Sequence, residues 1–222
     1  MFNTKPRLAL LTSIGILMLT PSTSVFSQTF DNELDFLRSA SCSFFESFEP
    51  LEDRPASNDP IVTAQFTISL PLAPAGIRST PAGGHFATEG SRYIEVGSNT
   101  TSTELVFELA SPATGFGLSV TDFGDSGGAG DLTFQTDAGA LAAEFVVAST
   151  PQSEGGLIFF AFTQETEFST VTVRAKTVGD GLGIDGVYVV RAAGTSIPGD
   201  INMDGVVNFL DIAPFINILA TQ

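Results

Sequence analysis

Short runs in which apolar and polar residues alternate occupy the chain from residue 43 to residue 191. In the segment 169–175, Val171, Val173 and Ala175 alternate with threonine and arginine. A repeat of two places these three side chains on one face of a strand and leaves the other face to water. On this pattern we predict ten strands: Phe44–Phe48, Ile61–Leu70, Arg92–Val96, Glu104–Leu109, Gly115–Thr121, Asp131–Thr136, Leu141–Val147, Leu157–Thr163, Ser169–Ala175 and Ile184–Val190.

Clusters of glycine, proline, aspartate and serine separate the predicted strands at near-regular intervals, as at Pro81–Gly84 and Ser153–Gly156. Many short strands joined by such turns, without an intervening amphipathic helix, are typical of an antiparallel β-sandwich or jelly roll. We therefore predict an all-β fold, with the sandwich domain at residues 43–191. The chain has 20 phenylalanines and no tryptophan, and we predict that the phenylalanines pack between the two sheets.

The first 27 residues have the pattern of a secretory signal peptide. Lys5 and Arg7 precede the apolar run Leu8–Leu19, and Val25 and Ser27 are permissive residues for a cleavage site. The apolar run is shorter than the roughly 20 residues that span a bilayer. We therefore expect cleavage after Ser27, export to the extracellular space or the cell surface, and no membrane insertion of the mature chain. In the N-terminal segment that follows, residues 28–42, Asp31–Arg38 is predicted to form a short helical turn.

Composition narrows the possible chemistry. The chain has 25 acidic residues against 9 basic ones and a net charge of -16, so phosphates would be repelled and nucleic acid is not an expected partner. One cysteine and one histidine exclude a disulfide framework, a cysteine-built zinc site and a cluster of imidazole ligands. We expect the single cysteine, Cys42, to be buried and inert rather than paired between chains.

Two short motifs resemble catalytic signatures. The residues Gly124–Gly128 reproduce the nucleophile signature of trypsin-like serine proteases, and Asp122–Gly124 reproduces a kinase metal motif. The protease chemistry needs a histidine base beside Ser126, and the single histidine, His85, is too near in sequence for the two barrels of that fold. No glycine-rich nucleotide loop accompanies the second motif. We interpret both motifs as parts of a glycine-rich turn.

Acidic residues are plentiful enough to leave two further possibilities. Glu95, Glu108 and Glu144 lie in predicted strands, and no pattern in the sequence pairs two of them for glycoside hydrolysis. A group of aspartates near glycines could hold a structural calcium ion, although ordinary turn chemistry explains each of them. These aspartates are Asp122, Asp125, Asp131, Asp180 and Asp185.

The sharpest motif lies in residues 199–222. Calcium takes six to eight oxygen ligands, and a twelve-residue loop supplies them from positions 1, 3, 5, 7, 9 and 12. These positions are occupied by Asp200, Asn202, Asp204, Val206 (through its backbone carbonyl), Asn208 and Asp211. Gly205 stands at position 6, where the loop turns sharply. We therefore predict that this loop binds Ca²⁺.

The surroundings of the loop identify its variant. Residues 192–198 read as a linker rather than a helix, and the loop is closed by an aspartate. A calcium loop followed by one helix resembles the type I dockerin repeat, an EF-hand-like module that docks onto cohesins in bacterial polysaccharide-degrading complexes. A dockerin has two such repeats and this segment has one, with Pro214 early in the expected helix. The resemblance therefore implies calcium binding more strongly than binding to a cohesin-like partner.

A second resemblance covers roughly residues 85–190. It is to the β-sandwich ectodomains of exported bacterial proteins of the PEP-CTERM sorting type, whose folds are similar to carbohydrate-binding domains. The segments that carry it are Gly115–Asp125, Leu132–Phe134, Leu157–Thr163, Phe168–Val173 and Asp180–Val187. The resemblance implies a sandwich that binds a glycan or another surface component.

Three hypotheses for function follow. The first is an exported, non-catalytic binding protein with a glycan-binding-like sandwich and a C-terminal calcium loop. The second is a secreted polysaccharide-degrading enzyme, or an accessory subunit of one, recruited through the dockerin-like repeat. The third is a structural surface protein in which calcium serves stability alone.

Overall fold

The structure, a computed structural model, describes residues 27–40, 43–97, 103–123, 130–138, 141–147, 156–176 and 181–191. These residues form one helix, α1 (Glu33–Ser39), and twelve strands. The strands are β1 (Ser27–Phe30), β2 (Ser43–Glu46), β3 (Arg54–Ser57), β4 (Ile61–Val62), β5 (Phe66–Ser69), β6 (Ala75–Arg78), β7 (Tyr93–Val96), β8 (Thr103–Thr121), β9 (Gly130–Thr136), β10 (Leu141–Val147), β11 (Leu157–Lys176) and β12 (Leu182–Val190).

Two long strands, β8 and β11, organise the fold. The sheet order is β10-β9-β11-β8-β12-β7-β6-β3, with β1 added to β11, β2 to β12, and the β4–β5 hairpin to β8. The first half of β8 pairs with the second half of β11, and the two remaining halves pair with each other. A register shift between Thr163 and Thr170 of β11 separates the two paired regions.

The two long strands bend, and the sheet thereby folds into two layers. Phe107 and Phe116 both belong to β8, and a straight strand would carry them about 30 Å apart. Their ring centroids are 4.9 Å apart, so β8 turns back on itself between them. Phe134 of β9 and Phe162 of β11 meet across the same interior at 5.6 Å. The predicted antiparallel β-sandwich is confirmed.

The first layer contains β4, β5, β9, β10 and the paired region around Phe107. The second layer contains β1, β2, β3, β6, β7, β12 and the paired region around Phe116. The alternation predicted for segment 169–175 is confirmed, because Val171, Val173 and Ala175 are buried in the shared core.

Several predicted strand boundaries were wrong, because the structure joins two pairs of predicted strands and divides a third predicted strand in two. Glu104–Leu109 and Gly115–Thr121 are one strand, β8, because the backbone stays extended through the bend. Leu157–Thr163 and Ser169–Ala175 are likewise one strand, β11. Ile61–Leu70 is instead the β4–β5 hairpin, since the hydroxyl of Thr63 accepts the N–H groups two and three residues later and closes a turn.

Helix α1 covers the outer face of the second layer. The Asn32 side chain caps it by accepting the N–H of Asp35, and the buried Phe36 points down onto β8 and β11. Gly117 of β8 makes room, because a Cβ built there would lie 3.3 Å from the Phe36 ring and 2.8 Å from Ala161. The predicted turn at Asp31–Arg38 is thus a helix. With β1, it places much of the segment 28–42 on the sandwich.

Other predictions fall outside the described residues. These are the signal peptide up to residue 26, Cys42, the Gly124–Gly128 turn, the linker 192–198 and the whole calcium loop Asp200–Asp211. In the part of the chain that the structure describes, no helix is long and apolar enough to cross a membrane.

Candidate functional site

Residues 79–92 connect β6 to β7 and lie against the outer face of the second layer. Four acidic residues from other parts of the chain hold this segment, which we call the carboxylate-held loop. The pairs are Asp53 with Ser79, Asp122 with His85, Asp185 with Thr88 and Glu89, and Glu49 with Ser91 and Arg92. The loop is therefore fixed by charge-assisted contacts rather than by an apolar core of its own.

Asp185 of β12 is the most buried of these carboxylates, at 1% exposure. Its Oδ2 accepts the N–H and the hydroxyl of Thr88 at 2.7 and 3.1 Å and the N–H of Glu89 at 2.9 Å. Its Oδ1 accepts the N–H of Gly186 at 2.8 Å. Burial raises the pKa of Asp185, and these hydrogen bonds oppose that rise. The carboxylate is thus occupied by backbone donors, which supports the turn interpretation of Asp185 over a calcium ligand.

His85 joins the loop to two strands of the second layer. Its Nε2 lies 2.9 Å from Oδ2 of Asp122, just after β8, and its Nδ1 lies 3.7 Å from Oε1 of Glu95 on β7. The His85–Asp122 contact has the distance of an ion pair without the N–H alignment of a hydrogen bond. On its other side, Glu95 accepts a hydrogen bond from Arg78 at 2.6 Å.

The arrangement around His85 is suited to holding the loop rather than to metal binding. The two ring nitrogens point in different directions, so Asp122 and Glu95 lie at different edges of the ring and do not converge on one point. Consistent with this, no group of three or more histidine, cysteine, aspartate or glutamate side chains among the described residues could hold a metal ion. Of the strand glutamates considered for hydrolysis, Glu95 lies in the second layer and Glu108 in the first.

Two glycines of the loop are required by the carboxylates that hold it. Gly84 has φ +92, and a Cβ there would lie 2.2 Å from Oδ1 of Asp122. Gly90 has φ +67, and a Cβ there would lie 2.5 Å from the carboxyl carbon of Glu49. Both positions combine a backbone that favours glycine with a space that a side chain would overfill. The turn at Pro81–Gly84 predicted from sequence is therefore also a docking point for Asp122.

A second feature of the outer face is an exposed aromatic side chain. Phe45 of β2 is 37% exposed and is the aromatic residue among the large apolar side chains that the described part of the chain exposes. Its ring lies 4.8 Å from that of Tyr188, at 41°. Tyr188 in turn contacts Phe36 and Phe159, at 6.2 and 5.9 Å. The prediction that the phenylalanines pack between the two sheets is therefore wrong for Phe45. It is also wrong for Phe30, Phe36 and Phe159, which pack in a separate cluster beneath α1.

Hydroxyl groups gather beside this ring. Gly186, at φ +57, lies where β12 bulges, and a Cβ built on it would be 3.3 Å from Cε2 of Phe45. The same point is 3.3 Å from the Ser119 hydroxyl and 3.6 Å from the Thr88 hydroxyl. We call Phe45, Thr88, Ser119 and Tyr188 together the Phe45 surface. It adjoins the carboxylate-held loop, because Thr88 belongs to both.

The charge around the Phe45 surface is negative. The Tyr188 hydroxyl donates a hydrogen bond to Oε1 of Glu33 on α1. Burial raises the pKa of Tyr188, and so do the contact with Glu33 and the charges of Glu89 and Asp185. The raised pKa keeps the proton on Tyr188, which is therefore the donor of this bond.

The sequence indicated one part of the Phe45 surface, the outward-facing phenylalanine. Phe44 and Phe45 are adjacent in a strand, so one of the two has to face away from the core. Phe44 packs against the core and Phe45 faces outward. No local pattern indicates that Ser119 and Thr88 meet Phe45, because they come from distant parts of the chain.

Comparison with known proteins finds likeness in structure alone. No family model matches the chain, and no curated protein matches it. The K2 cleaved adhesin domain of Lys-gingipain matches with 15% identity and a TM-score of 0.42 over 67% of this chain and 99% of that one. TmCBM61 in complex with β-1,4-galactotriose matches with 17% identity and a TM-score of 0.39 over 66% and 94%.

A third similar structure is the catalytic domain of a GH87 α-1,3-glucanase in complex with tetrasaccharides. It matches with 14% identity and a TM-score of 0.36 over 73% of this chain and 30% of that one. With TM-scores below 0.5, these likenesses carry no argument about ligand or activity. The function has to be argued from the residues of this chain.

Replacing Gly84 by alanine should destabilise the protein more than replacing Gly83. Both have positive φ, at +92 and +61, but a Cβ at Gly83 meets nothing within 4 Å. Gly83→Ala should cost about 1–2 kcal/mol of backbone strain, and Gly84→Ala a further 1–3 kcal/mol or so from overlap with Asp122. Urea unfolding measures both. If overlap is the cause, the additional cost disappears in an Asp122→Ala background, and its persistence there would contradict the assignment.

Replacing Glu49 by glutamine should make stability less dependent on acid pH. The N–H groups of Ser91 and Arg92 donate to Glu49 at 2.6 and 2.7 Å and hold its pKa below its ordinary value of 4.5. A lowered pKa in the folded state means that stability from the ionised group is present above pH 4.5 and is lost as pH falls through the lowered value. Wild type should therefore exceed Glu49→Gln in stability near neutral pH.

The stability difference between wild type and Glu49→Gln should shrink as the pH is taken from 7 to 3 in thermal unfolding. Glu108→Gln, a change at an exposed position of β8, serves as the matched control and should show no such trend. A difference for Glu49→Gln that stays constant over this range would show that its carboxylate does not anchor the loop.

Proposed function

We propose that this protein is an exported, non-catalytic extracellular protein that binds glycans on the Phe45 surface and calcium on its C-terminal loop. The observation that carries the proposal is Phe45, an exposed aromatic ring set beside two hydroxyl groups on the outer face of the sandwich. The negative charge of the chain supports a partner other than nucleic acid.

The chemistry of a sugar ring supports this choice. A pyranose has an apolar face of C–H groups and a rim of hydroxyls, so it is held by an aromatic face together with a few polar groups at the edge. Phe45 provides the aromatic face. Near its edge lies the half-buried Thr88, whose hydroxyl donates to Asp185 and can still accept a hydrogen bond, while Ser119 lies deeper at 7% exposure. Small-molecule and glycan sites commonly combine these two kinds of contact.

The surface is also held rigid from behind. Tyr188 lies under Phe45, its ring wedged against Phe36 and Phe159 and its hydroxyl bonded to Glu33. A binding surface whose side chains are already ordered loses less conformational entropy when a ligand arrives. This pre-ordering favours a binding role for Phe45 over accidental exposure.

The non-catalytic part of the proposal rests on His85. Both of its ring nitrogens face carboxylates, those of Asp122 and Glu95, so its contacts are those of a residue that ties elements together. A general base needs a nucleophile beside one of its nitrogens, and the described residues place carboxylates there instead.

Export and calcium binding rest on sequence. The signal peptide pattern at residues 1–27 supports export, and the ligand spacing from Asp200 to Asp211 supports a calcium loop of the dockerin type. Extracellular calcium modules have dissociation constants of roughly 10⁻⁴ to 10⁻³ M, so the calcium concentration outside a cell would fill such a site.

Replacing Phe45 by alanine should weaken glycan binding at least tenfold, because the stacking face is removed. The mature chain is screened on an oligosaccharide array, and the strongest ligand is titrated into wild type and variant by calorimetry. Val62→Ala, which changes an apolar residue 63% exposed on β4 of the first layer, is the control and should bind as wild type does. A wild type that binds no glycan, or that releases reducing sugar from one, would overturn the proposal.

Calcium titrated into the mature chain should give binding heat that Asp200→Ala/Asp204→Ala abolishes, since two of the three carboxylate ligands are lost. Glu52→Ala/Glu165→Ala removes the same charge at exposed positions of the sandwich and should leave the heat unchanged. Equal heats from wild type and the loop variant would disprove the calcium site.

A further inference from the structure

The Phe45 surface carries acidic groups on the sides toward α1 and toward the carboxylate-held loop. Glu33 of α1 accepts the Tyr188 hydroxyl, and the backbone of Glu89 is tied to Asp185 beside the Thr88 hydroxyl. Glu89 is exposed and Glu33 half-buried. Both glutamates place negative charge at Tyr188, whose ring lies 4.8 Å from the exposed ring of Phe45.

Arginines of the described part of the chain pair with other groups. Their polar contacts include Arg38 with Asp35, Arg54 with the carbonyls of Asp59 and Pro60, Arg78 with Glu95, Arg92 with Asp53 and the Glu49 carbonyl, Arg174 with Glu104 and Gln135, and Arg191 with Gln65. These contacts hold the arginine charges on carboxylates and carbonyls other than those of Glu33, Glu89 and Asp185.

An exposed ring beside this negative charge is suited to a cation. The face of an aromatic ring attracts an ammonium group, and an adjacent carboxylate adds a direct ionic attraction. The same carboxylates repel uronate and sulfate groups. The half-buried Thr88 hydroxyl donates to Asp185 and keeps its lone pairs for a donor on the ligand, which favours a sugar over a lysine side chain.

We propose that the Phe45 surface selects glycans built from amino sugars with free, protonated amines, such as polymers of glucosamine, over neutral and acidic glycans. This inference rests on the proposed glycan binding and adds the class of glycan. The ring of Phe45 stacks on a sugar face, and the carboxylate of Glu89 meets the ammonium group.

The test compares hexasaccharides that differ in charge. Calorimetry of the mature chain is performed with the glucosamine hexamer, its N-acetylated counterpart, cellohexaose and hexagalacturonate at a pH where the amine is protonated. The glucosamine hexamer should bind at least tenfold more tightly than the N-acetylated and cellulose hexamers, and hexagalacturonate least. Raising the salt from 0.05 to 0.5 M should reduce this preference several-fold, because screening weakens ionic attraction.

Variants locate the selectivity. Glu89→Gln should reduce affinity for the glucosamine hexamer about three- to tenfold and leave the N-acetylated hexamer unchanged. Glu165→Gln, at an exposed position of β11, should alter neither. Glucosamine binding that survives Phe45→Ala, or a preference that survives both Glu89→Gln and Glu33→Gln, would place amine recognition elsewhere and overturn the inference.

The remaining outcomes separate this inference from the proposed function. Equal affinity for the glucosamine and N-acetylated hexamers overturns selection by charge and leaves glycan binding standing. No binding to any glycan overturns both. A lysine hexapeptide that binds more tightly than the glucosamine hexamer would show that a basic protein segment is the partner, which also contradicts the inference.

Discussion

The contact between Phe107 and Phe116 is the constraint on which the rest of the structure depends. Both rings belong to β8, and they touch only because that strand turns back between them. β11 makes the same bend alongside it. A single pair of long strands therefore supplies the centre of both layers, and every other strand is added to one half of this pair or the other.

The outer face of the second layer follows from the same geometry. Inward positions of β8 hold Phe116, Leu118 and Val120, and the outward positions between them include Gly117 and Ser119. Small outward residues let α1 settle on one end of the face and the carboxylate-held loop on the other. The Phe45 surface lies between α1 and the carboxylate-held loop. Glu33 of α1 borders it on one side, and Thr88 of the loop belongs to it on the other.

The sequence predicted those features of the fold that depend on a local repeat of apolar and polar residues. An apolar residue at every second position identified the strands and the all-β class. In the segment with Val171, Val173 and Ala175, for example, this local pattern is enough to predict which face is buried. The union of two predicted strands into β8 could not be seen, because the bend at residues 110–114 has the composition of a turn while its backbone stays extended. The β4–β5 turn depended on one hydroxyl, that of Thr63. The carboxylate partners of the loop were hidden for another reason: Asp185 and Thr88 lie 97 residues apart, and no local pattern encodes such a contact.

The bond between the Tyr188 hydroxyl and Glu33 joins positions 155 residues apart, and this separation sets an order of events. β2, which carries Phe45, pairs with β12, the last strand of the described sandwich. Contacts of such long sequence separation form late, because the loss of chain entropy precedes any gain. The surface therefore takes shape only when the earliest and latest parts of the sandwich have met, and a partly folded chain has no assembled surface to offer a ligand. The proposed binding would therefore be a property of the fully folded chain alone.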